Sequence, residues 1–484
     1  MNHNAKRLFA LTFGAAVLSA APIAFAEQSP SEQVQLSVEQ MRLAAELNLR
    51  NGDFDRALVF ADALLRRDPK DVTALLIRAH ALRVKKEFSG AQNAARHAWR
   101  AAETDNHKYT AAMLMAQALS SDNKRTRAQL WLRRAAEVAP TKQHEARAAE
   151  DFRYVQRRNP WQTNLSFTLA PNSNINNGSA RDTSSLLYQI FNPLDIDGAG
   201  IVELGAASKA LSGIEAGLSV QTRYRFKQTE RTAHDLRLGV SFRTYQLSAS
   251  AKADLAEADA ERVAQGQEPS DITGSDFSYG TVQVGYGYKQ LRKDQRGEFS
   301  FTADVGQSFY GGDEYNSFLR TSISQSYYAS RTTKYSFGLS TDFRYAQQGA
   351  DYQLYQINAG ISRKLASGDG LYLGAVASMT TSDTERFEYG ELGLRGGYVL
   401  GREIMGTSLQ FGLNTSFRDY DVSPHDPSGR QEFKVGGDIT ATFKQIDYFG
   451  FNPTVSLTAS TTNSNIGLYD VNRVGLNIGI ASAF

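Results

Sequence analysis

Charged residues that alternate with apolar ones in the last two thirds of the chain are those whose types and spacing could do chemistry. Glu215, Arg223, Arg225, Arg237, Arg243, Lys334, Asp342, Arg344, Arg418, Asp438 and Lys444 all fall, by parity, opposite apolar neighbours. Successive residues of a strand point to opposite faces, so residues of one parity share a face. If the strands close into a barrel, these charges line its interior. They are mixed in sign with a basic excess. The chemistry they offer is electrostatic. A narrow anion passage, a plug-like interior of self-paired charges and ordinary solvated lumen residues all fit.

Catalytic patterns are missing. The seven His residues are scattered, and no pair stands at i, i+4 around a Glu. His80, His97, His107 and His144 fall in a helical region, where surface positions are the simpler reading. Asp195-Ile196-Asp197-Gly198 carries part of a calcium-loop pattern, but Pro193 occupies the preceding ligand position and the closing Glu is misplaced. Gly285-Tyr286-Gly287 lacks the rest of a phosphate loop; inward glycines in a barrel strand make room in a crowded lumen. With no Cys, thiolate metal sites, disulfides, lipidation at an N-terminal Cys and Cys nucleophiles are excluded. The expectation is a protein that is not an enzyme and carries no cofactor and no metal. A net charge of +2 argues against nucleic acid as a partner.

The elements that would position the charges are strands. Ile214, Ala216, Leu218, Val220, Tyr224 and Phe226 form one side of a segment; Tyr335, Phe337, Leu339, Phe343 and Tyr345, then Leu409, Phe411, Leu413 and Phe417, do the same further on. From Trp161 to Phe484 about 14 such segments can be read, each near the ~10 residues that a tilted membrane strand needs. Mean hydropathy is −0.41 and no later stretch holds 18 consecutive apolar residues, which a barrel does not require. The 22 Tyr and 26 Phe suit aromatic girdles. Connections differ in length: Pro171 to Leu211 and Ser248 to Gly274 are long, with Ala251 to Gln265 a possible short helix, whereas Lys227 to Thr232 is short. Long loops face outward and short turns the periplasm, and an even strand number puts both barrel ends, with the helical region, on the periplasmic side.

Before the strands the period is helical. Ala45, Ala79 and Ala116 recur at spacings of 34 and 37, and so do Ala57, Ala91 and Ala128. This resembles about three tetratricopeptide repeats over residues 38–140, in which small Ala residues let paired helices approach. From Glu27 to Pro160, 23 Lys and Arg stand against 17 Asp and Glu, a net of +6 that would attract acidic cargo or anionic lipid, or simply solvate a helix face. Lys6 and Arg7, the apolar Leu8–Leu18 and Ala24-Phe25-Ala26 form a secretory signal with cleavage before Glu27. The expected plan is a signal peptide at 1–26, a periplasmic repeat domain at 27–158 and an outer-membrane barrel at 159–484.

Two stretches resemble known families. Val474, Leu476, Ile478 and Ile480 alternate with small or polar residues up to the terminal Phe484, which resembles the signal read by the barrel-assembly machinery. Asn159-Pro160-Trp161 starts the first strand, and Ala170 to Ser179, with Pro171, Asn174, Asn176 and Asn177, follows it. This junction resembles the start of the barrel in surface lipoprotein assembly modulators, the outer-membrane translocons of type XI secretion. The resemblance covers nearly the whole mature chain. It implies a 14-stranded barrel behind periplasmic tetratricopeptide repeats, without nucleotide hydrolysis. It further implies a lipoprotein or secreted protein as cargo, and outer-membrane lipid, barrel-assembly machinery and periplasmic chaperones as partners. Asn caps backbone groups and tolerates left-handed turns, which suits a fixed loop. An exopolysaccharide export porin and a general diffusion porin are the competing readings; the first usually has more repeats, and the second needs none.

Overall fold

The computed structural model describes residues 35–185, 201–426 and 428–482. The expected signal sequence at 1–26, Asp195 to Gly198 and Phe484 lie outside the described residues.

Among the described residues seven helices come first: α1 Val38–Arg50, α2 Phe54–Arg67, α3 Val72–Val84, α4 Phe88–Ala101, α5 Asp105–Ser121, α6 Arg125–Glu137 and α7 Lys142–Arg158. They form three helix pairs of tetratricopeptide type and a seventh helix packed on α6. Ala45, Ala57, Ala79, Ala91, Ala116 and Ala128, the residues that recur in sequence, are all buried, since each stands where two helices touch. A core of Tyr109, Met113, Leu119, Trp131, Leu132 and Phe152 continues the stack into α7.

The turn inside each pair has one geometry. Gly52, Lys86 and Asn123 occupy equivalent positions, with φ of 81°, 66° and 57°. After each, a backbone N–H reaches back five residues, from Asp53 to Asn48, Glu87 to Leu82 and Lys124 to Leu119. This is the helix-ending motif that wants Gly or Asn in the left-handed region. Lys86 is the poor fit of the three.

The rest is sheet. The strands are β1 Trp161–Asn172, β2 Thr183–Ser184, β3 Val202–Glu203, β4 Gly213–Gln228, β5 Thr232–Leu247, β6 Tyr279–Leu291, β7 Glu298–Tyr310 and β8 Asp313–Tyr328. Then come β9 Thr333–Ala346, β10 Tyr352–Lys364, β11 Gly370–Ser382, β12 Tyr389–Val399, β13 Thr407–Tyr420, β14 Arg430–Phe443, β15 Phe451–Ser464 and β16 Val471–Ser482. β1 and β4–β16 make a closed antiparallel barrel of 14 strands; β2 and β3 form a separate two-stranded piece within the β1–β4 connection. The barrel's outer face is apolar and exposed, with Leu165, Leu169, Leu238, Phe337, Leu339, Leu392, Leu413 and Ile478 among many. A surface so continuously apolar belongs against lipid hydrocarbon, where backbone groups need the partners that closing a sheet supplies. Among the described residues no helix is long and apolar enough to cross a membrane.

Both ends of the barrel chain lie at one rim, called here the near rim, where the helices sit. Its connections are short, from 229–231 to 444–450. The far rim carries the two long connections, 173–212 and 248–278, yet also the two-residue turn Gly311-Gly312. β1 runs on through Pro171 to Asn172, so the first long connection begins later than the sequence suggested. The second contains α8, Ala249–Ala264, started by the Ser248 side chain accepting from the Ala251 N–H.

Two outcomes check these assignments. Lys86→Gly stabilises the helical domain by about 1 kcal/mol, because it removes a left-handed Lys; thermal melting followed by far-UV circular dichroism reads this. Leu339→Arg, on the outer face, costs the barrel about 2–4 kcal/mol in lipid vesicles, whereas Ser340→Arg, pointing the other way, does not, as urea unfolding will show.

Candidate functional site

The inner wall of the barrel is a set of cross-strand ion pairs. Asp235 on β5 is held by two arginines of β4, at 3.1 Å from Arg223 Nη1 and 2.8 Å from Arg225 Nε. Arg237 reaches Asp304 of β7 across β6, at 3.3 Å. Asp342 on β9 accepts from Arg320 of β8 at 2.9 Å and from Arg344, two residues along its own strand, at 3.0 Å. Arg418 on β13 joins Glu391 of β12 at 2.7 Å and lies 3.7 Å from Glu432 of β14, which in turn pairs with Arg430 at 3.1 Å. The carboxylates of Asp235, Asp304 and Asp342 are buried. A charge taken out of water is costly unless paired, so these contacts are what allows the wall to hold charges at all. Gly285 shows how tightly the interior is filled: any Cβ there would collide with the Asp304 carboxylate and the Ala303 carbonyl.

The remaining residues singled out by parity have different surroundings. Glu215 accepts from Asn172 Nδ2 at 3.1 Å. Arg243 is registered opposite Gly217 of β4, and Asp438 opposite Gly412 of β13. The Lys334 ammonium lies over the Tyr328 ring at 5.5 Å. Lys444 is corrected by the structure: it stands one residue past β14, exposed in the near-rim connection, and pairs with Glu403 at 2.9 Å. Alternation simply continued past the strand's end. Conversely, Asp235, Asp304, Arg320, Glu391, Arg430 and Glu432 were not singled out from sequence. Parity alone puts Asp304 on the same side as Ser300 and Thr302; which charge meets which requires the register between strands, and that is not in the local pattern.

Arginines and aromatics gather at the far mouth. The Arg430 guanidinium lies between the Tyr420 and Tyr469 rings, at 3.6 and 3.9 Å from their centres, and Arg418 lies over Tyr389 at 4.4 Å. Arg430 and the three tyrosines, with Tyr352, Arg386 and His425, border a cavity of about 400 Å³. Among the described residues no group of three His, Asp or Glu converges as a metal site.

The asparagine stretch after β1 is a knot of side-chain caps. Asn174 is fully buried; its Nδ2 donates to Gly178 O at 2.8 Å and Asn472 O at 3.2 Å, and its Oδ1 accepts from Gly178 N at 2.8 Å. Asn176 donates to Lys209 O at 2.8 Å and accepts from Leu211 N at 2.9 Å. Asn177 is left-handed, with φ 56°, and accepts from Arg473 at 3.1 Å. Next to it Arg181 pairs with Asp470 at 2.5 Å. The knot ties the β1–β4 connection to the top of β16. Beside it Ile175, Leu211, Leu247 and Leu255 pack the two long connections against each other.

At the near rim the junction is equally specific. Asn159 is buried, donates to Thr126 Oγ1 of α6 at 3.0 Å and accepts from Trp161 N at 3.2 Å. Pro160 O accepts from Arg225 N at 2.8 Å, starting the β1–β4 ladder, and the Trp161 ring leans on Tyr224 at 4.6 Å. The helices are docked by Arg133 of α6, 8% exposed. Its guanidinium donates to Phe449 O at 2.9 Å, Gly450 O at 2.6 Å and Ser482 Oγ at 2.8 Å, between the rings of Phe152 and Phe451. Glu137 accepts from Phe449 N at 2.8 Å. Burial holds the Arg133 pKa below its usual value, with Asp447 opposing that shift. Val474, Ile478 and Ile480, on the last strand, lie exposed on the outer face.

No family model matches this chain, and no curated protein matches it. Among solved structures, the helical part is similar to a tetratricopeptide domain of yeast Sti1, at 18% identity over 25% of this chain and 97% of that one, TM-score 0.23. The barrel is similar to an outer-membrane channel from Pseudomonas putida F1, at 9% identity over 66% and 95%, TM-score 0.30. It is similar also to a bacterial polysaccharide outer membrane secretin, at 7% identity over 65% and 97%, TM-score 0.31.

Removing Asp235 tests the wall. Asp235→Ala leaves Arg223 and Arg225 facing each other without their carboxylate and costs about 3–5 kcal/mol. Urea unfolding in vesicles measures the loss, and planar-bilayer recordings show a shift toward anion selectivity.

Proposed function

We propose that this chain is an outer-membrane translocon that carries proteins, lipidated or soluble, from the periplasm to the cell surface. The supporting observation is architectural: a helical repeat stack of the kind that holds peptides in its concave face is locked by Arg133 and Asn159 to one mouth of a membrane barrel. A diffusion channel has no use for a docked binding module at its entrance. In this reading the near rim faces the periplasm. Short connections on that side and the two long ones opposite agree with the orientation.

The division of work follows from the surfaces. The repeats, with their basic excess, receive cargo and hold it extended below the barrel. The barrel is the conduit, and its paired inner charges offer a passing chain polar contacts. No nucleotide site is invoked; folding of cargo outside makes passage one-way. The junction from Asn159 to Ser179 carries the likeness to surface lipoprotein assembly modulators, and type XI secretion is the system in which this role would be played.

Surface proteolysis of intact cells with and without the gene, coupled to mass spectrometry, tests this reading. One or two proteins should vanish from the surface or medium and accumulate in the periplasm when the gene is deleted. An unchanged exposed proteome overturns it.

A further inference from the structure

The seam between β1 and β16 is unlike the others. Each of the other neighbouring strand pairs is registered at ten or more Cα partners. β1 and β16 share one, Asn172 with Gly475. The strands still run side by side. A Cβ on Gly475 would lie 3.9 Å from Pro171 O, and one on Gly479 3.9 Å from Phe167 O. So the two edges are adjacent along Leu165–Pro171 without forming a ladder.

Both ends of this open stretch are fastened, the far one by a backbone bond and side chains and the near one by side chains. At the far rim Ser173 N donates to Val474 O at 3.0 Å, and Arg473 Nε to Asn174 O at 3.1 Å. At the near rim one helix holds both strands. Thr126, in the first turn of α6, takes Asn159 just before β1, and Arg133, two turns later, takes Ser482 at the end of β16. α6 therefore lies across the seam like a crossbar, and a displacement of α6 acts on both edges together.

We propose that the β1–β16 seam is a lateral gate in the barrel wall and that α6, through Arg133 and Thr126, transmits the state of the helical domain to it. The freed edges expose rows of N–H and C=O groups, whose natural occupant is an extended polypeptide segment that completes the ladder. That occupant rests on the translocon reading; the gate itself does not.

The test uses the full chain in lipid nanodiscs and residue-resolved hydrogen exchange. β1 amides pointing at β16 should exchange about tenfold or more faster than those pointing at β4, while the two sides of β9 exchange alike. Arg133→Ala should speed exchange at the near-rim half of β16 by about tenfold again and leave β9 unchanged; Arg133→Lys, which keeps the charge and loses the fork, should fall between. Equal protection of β1 on its two sides, or an Arg133→Ala protein indistinguishable at the seam, overturns the proposal.

The absence of Cys permits a lock without background. Leu169→Cys with Ile478→Cys, placed by extending the Asn172–Gly475 register, closes the seam under oxidation; Leu339→Cys with Ile357→Cys does the same in a fully registered pair. The seam lock, and not the control, should abolish the surface appearance of whatever protein shaving shows to depend on the parent, with reversal by reductant. Unhindered passage through the locked seam overturns the gate. If the parent itself moves no protein, the translocon reading falls, and the exchange data still judge the seam.

Discussion

A bilayer interior offers no water to a backbone amide, and the rest of this molecule follows from that constraint. Strands can cross it only if every edge finds a partner, so the fourteen strands close on themselves. An even number returns the chain to the rim where it entered. The helical domain, attached before β1, and the end of β16 are thereby brought together, which is why α6 can touch residues more than 300 positions away. The same closure assigns one parity of every strand to lipid and the other to the interior, and it brings inward charges of different strands within reach of one another.

The interior shows how that second demand is met. Carboxylates are fewer than arginines on the wall, and several serve two guanidiniums at once: Asp235 for Arg223 and Arg225, Asp342 for Arg320 and Arg344, Glu432 for Arg418 and Arg430. Sharing gives each of these guanidiniums a counter-ion but leaves one net positive charge at the Asp235 cluster and one at the Asp342 cluster. At the far mouth tyrosine rings add cation–π contacts, as for Arg430 between Tyr420 and Tyr469. Mutual pairing is the arrangement that Arg223, Arg225, Arg237, Asp342, Arg344 and Arg418 show on the wall.

Much of this was readable before any coordinates. Periods of 34 and 37 in alanines mark where helices touch, and two-residue alternation marks the strands and their lipid face. These signals are local, set by side-chain direction along one element. What alternation cannot supply is the register between elements, so the partners of Arg237 or Arg418 stayed hidden, and Lys444 was carried past the end of its strand. The Arg133 dock was equally illegible: an arginine in an amphipathic helix looks like any solvated one until the barrel places Phe449, Gly450 and Ser482 against it. The left-handed position shared by Gly52, Lys86 and Asn123 is an intermediate case, visible as a spacing but obscured by Lys86, which does not advertise a positive φ.

The β1–β16 seam sets the founding constraint against itself. If closure exists to satisfy backbone groups, one weakly registered seam is the least favourable place in the wall, and a chain selected only for stability would zip it. Instead its ends are held by side chains: an asparagine knot above, and Asn159 and Arg133 below. Side-chain fasteners differ from a ladder in a way that matters. A ladder opens only by losing its bonds one after another along the strand, whereas a few discrete contacts release together when the element carrying them moves. Both lower contacts end on a single helix, Thr126 taking Asn159 and Arg133 taking Ser482, so the weakest line of the barrel is also the one most directly connected to the helical domain.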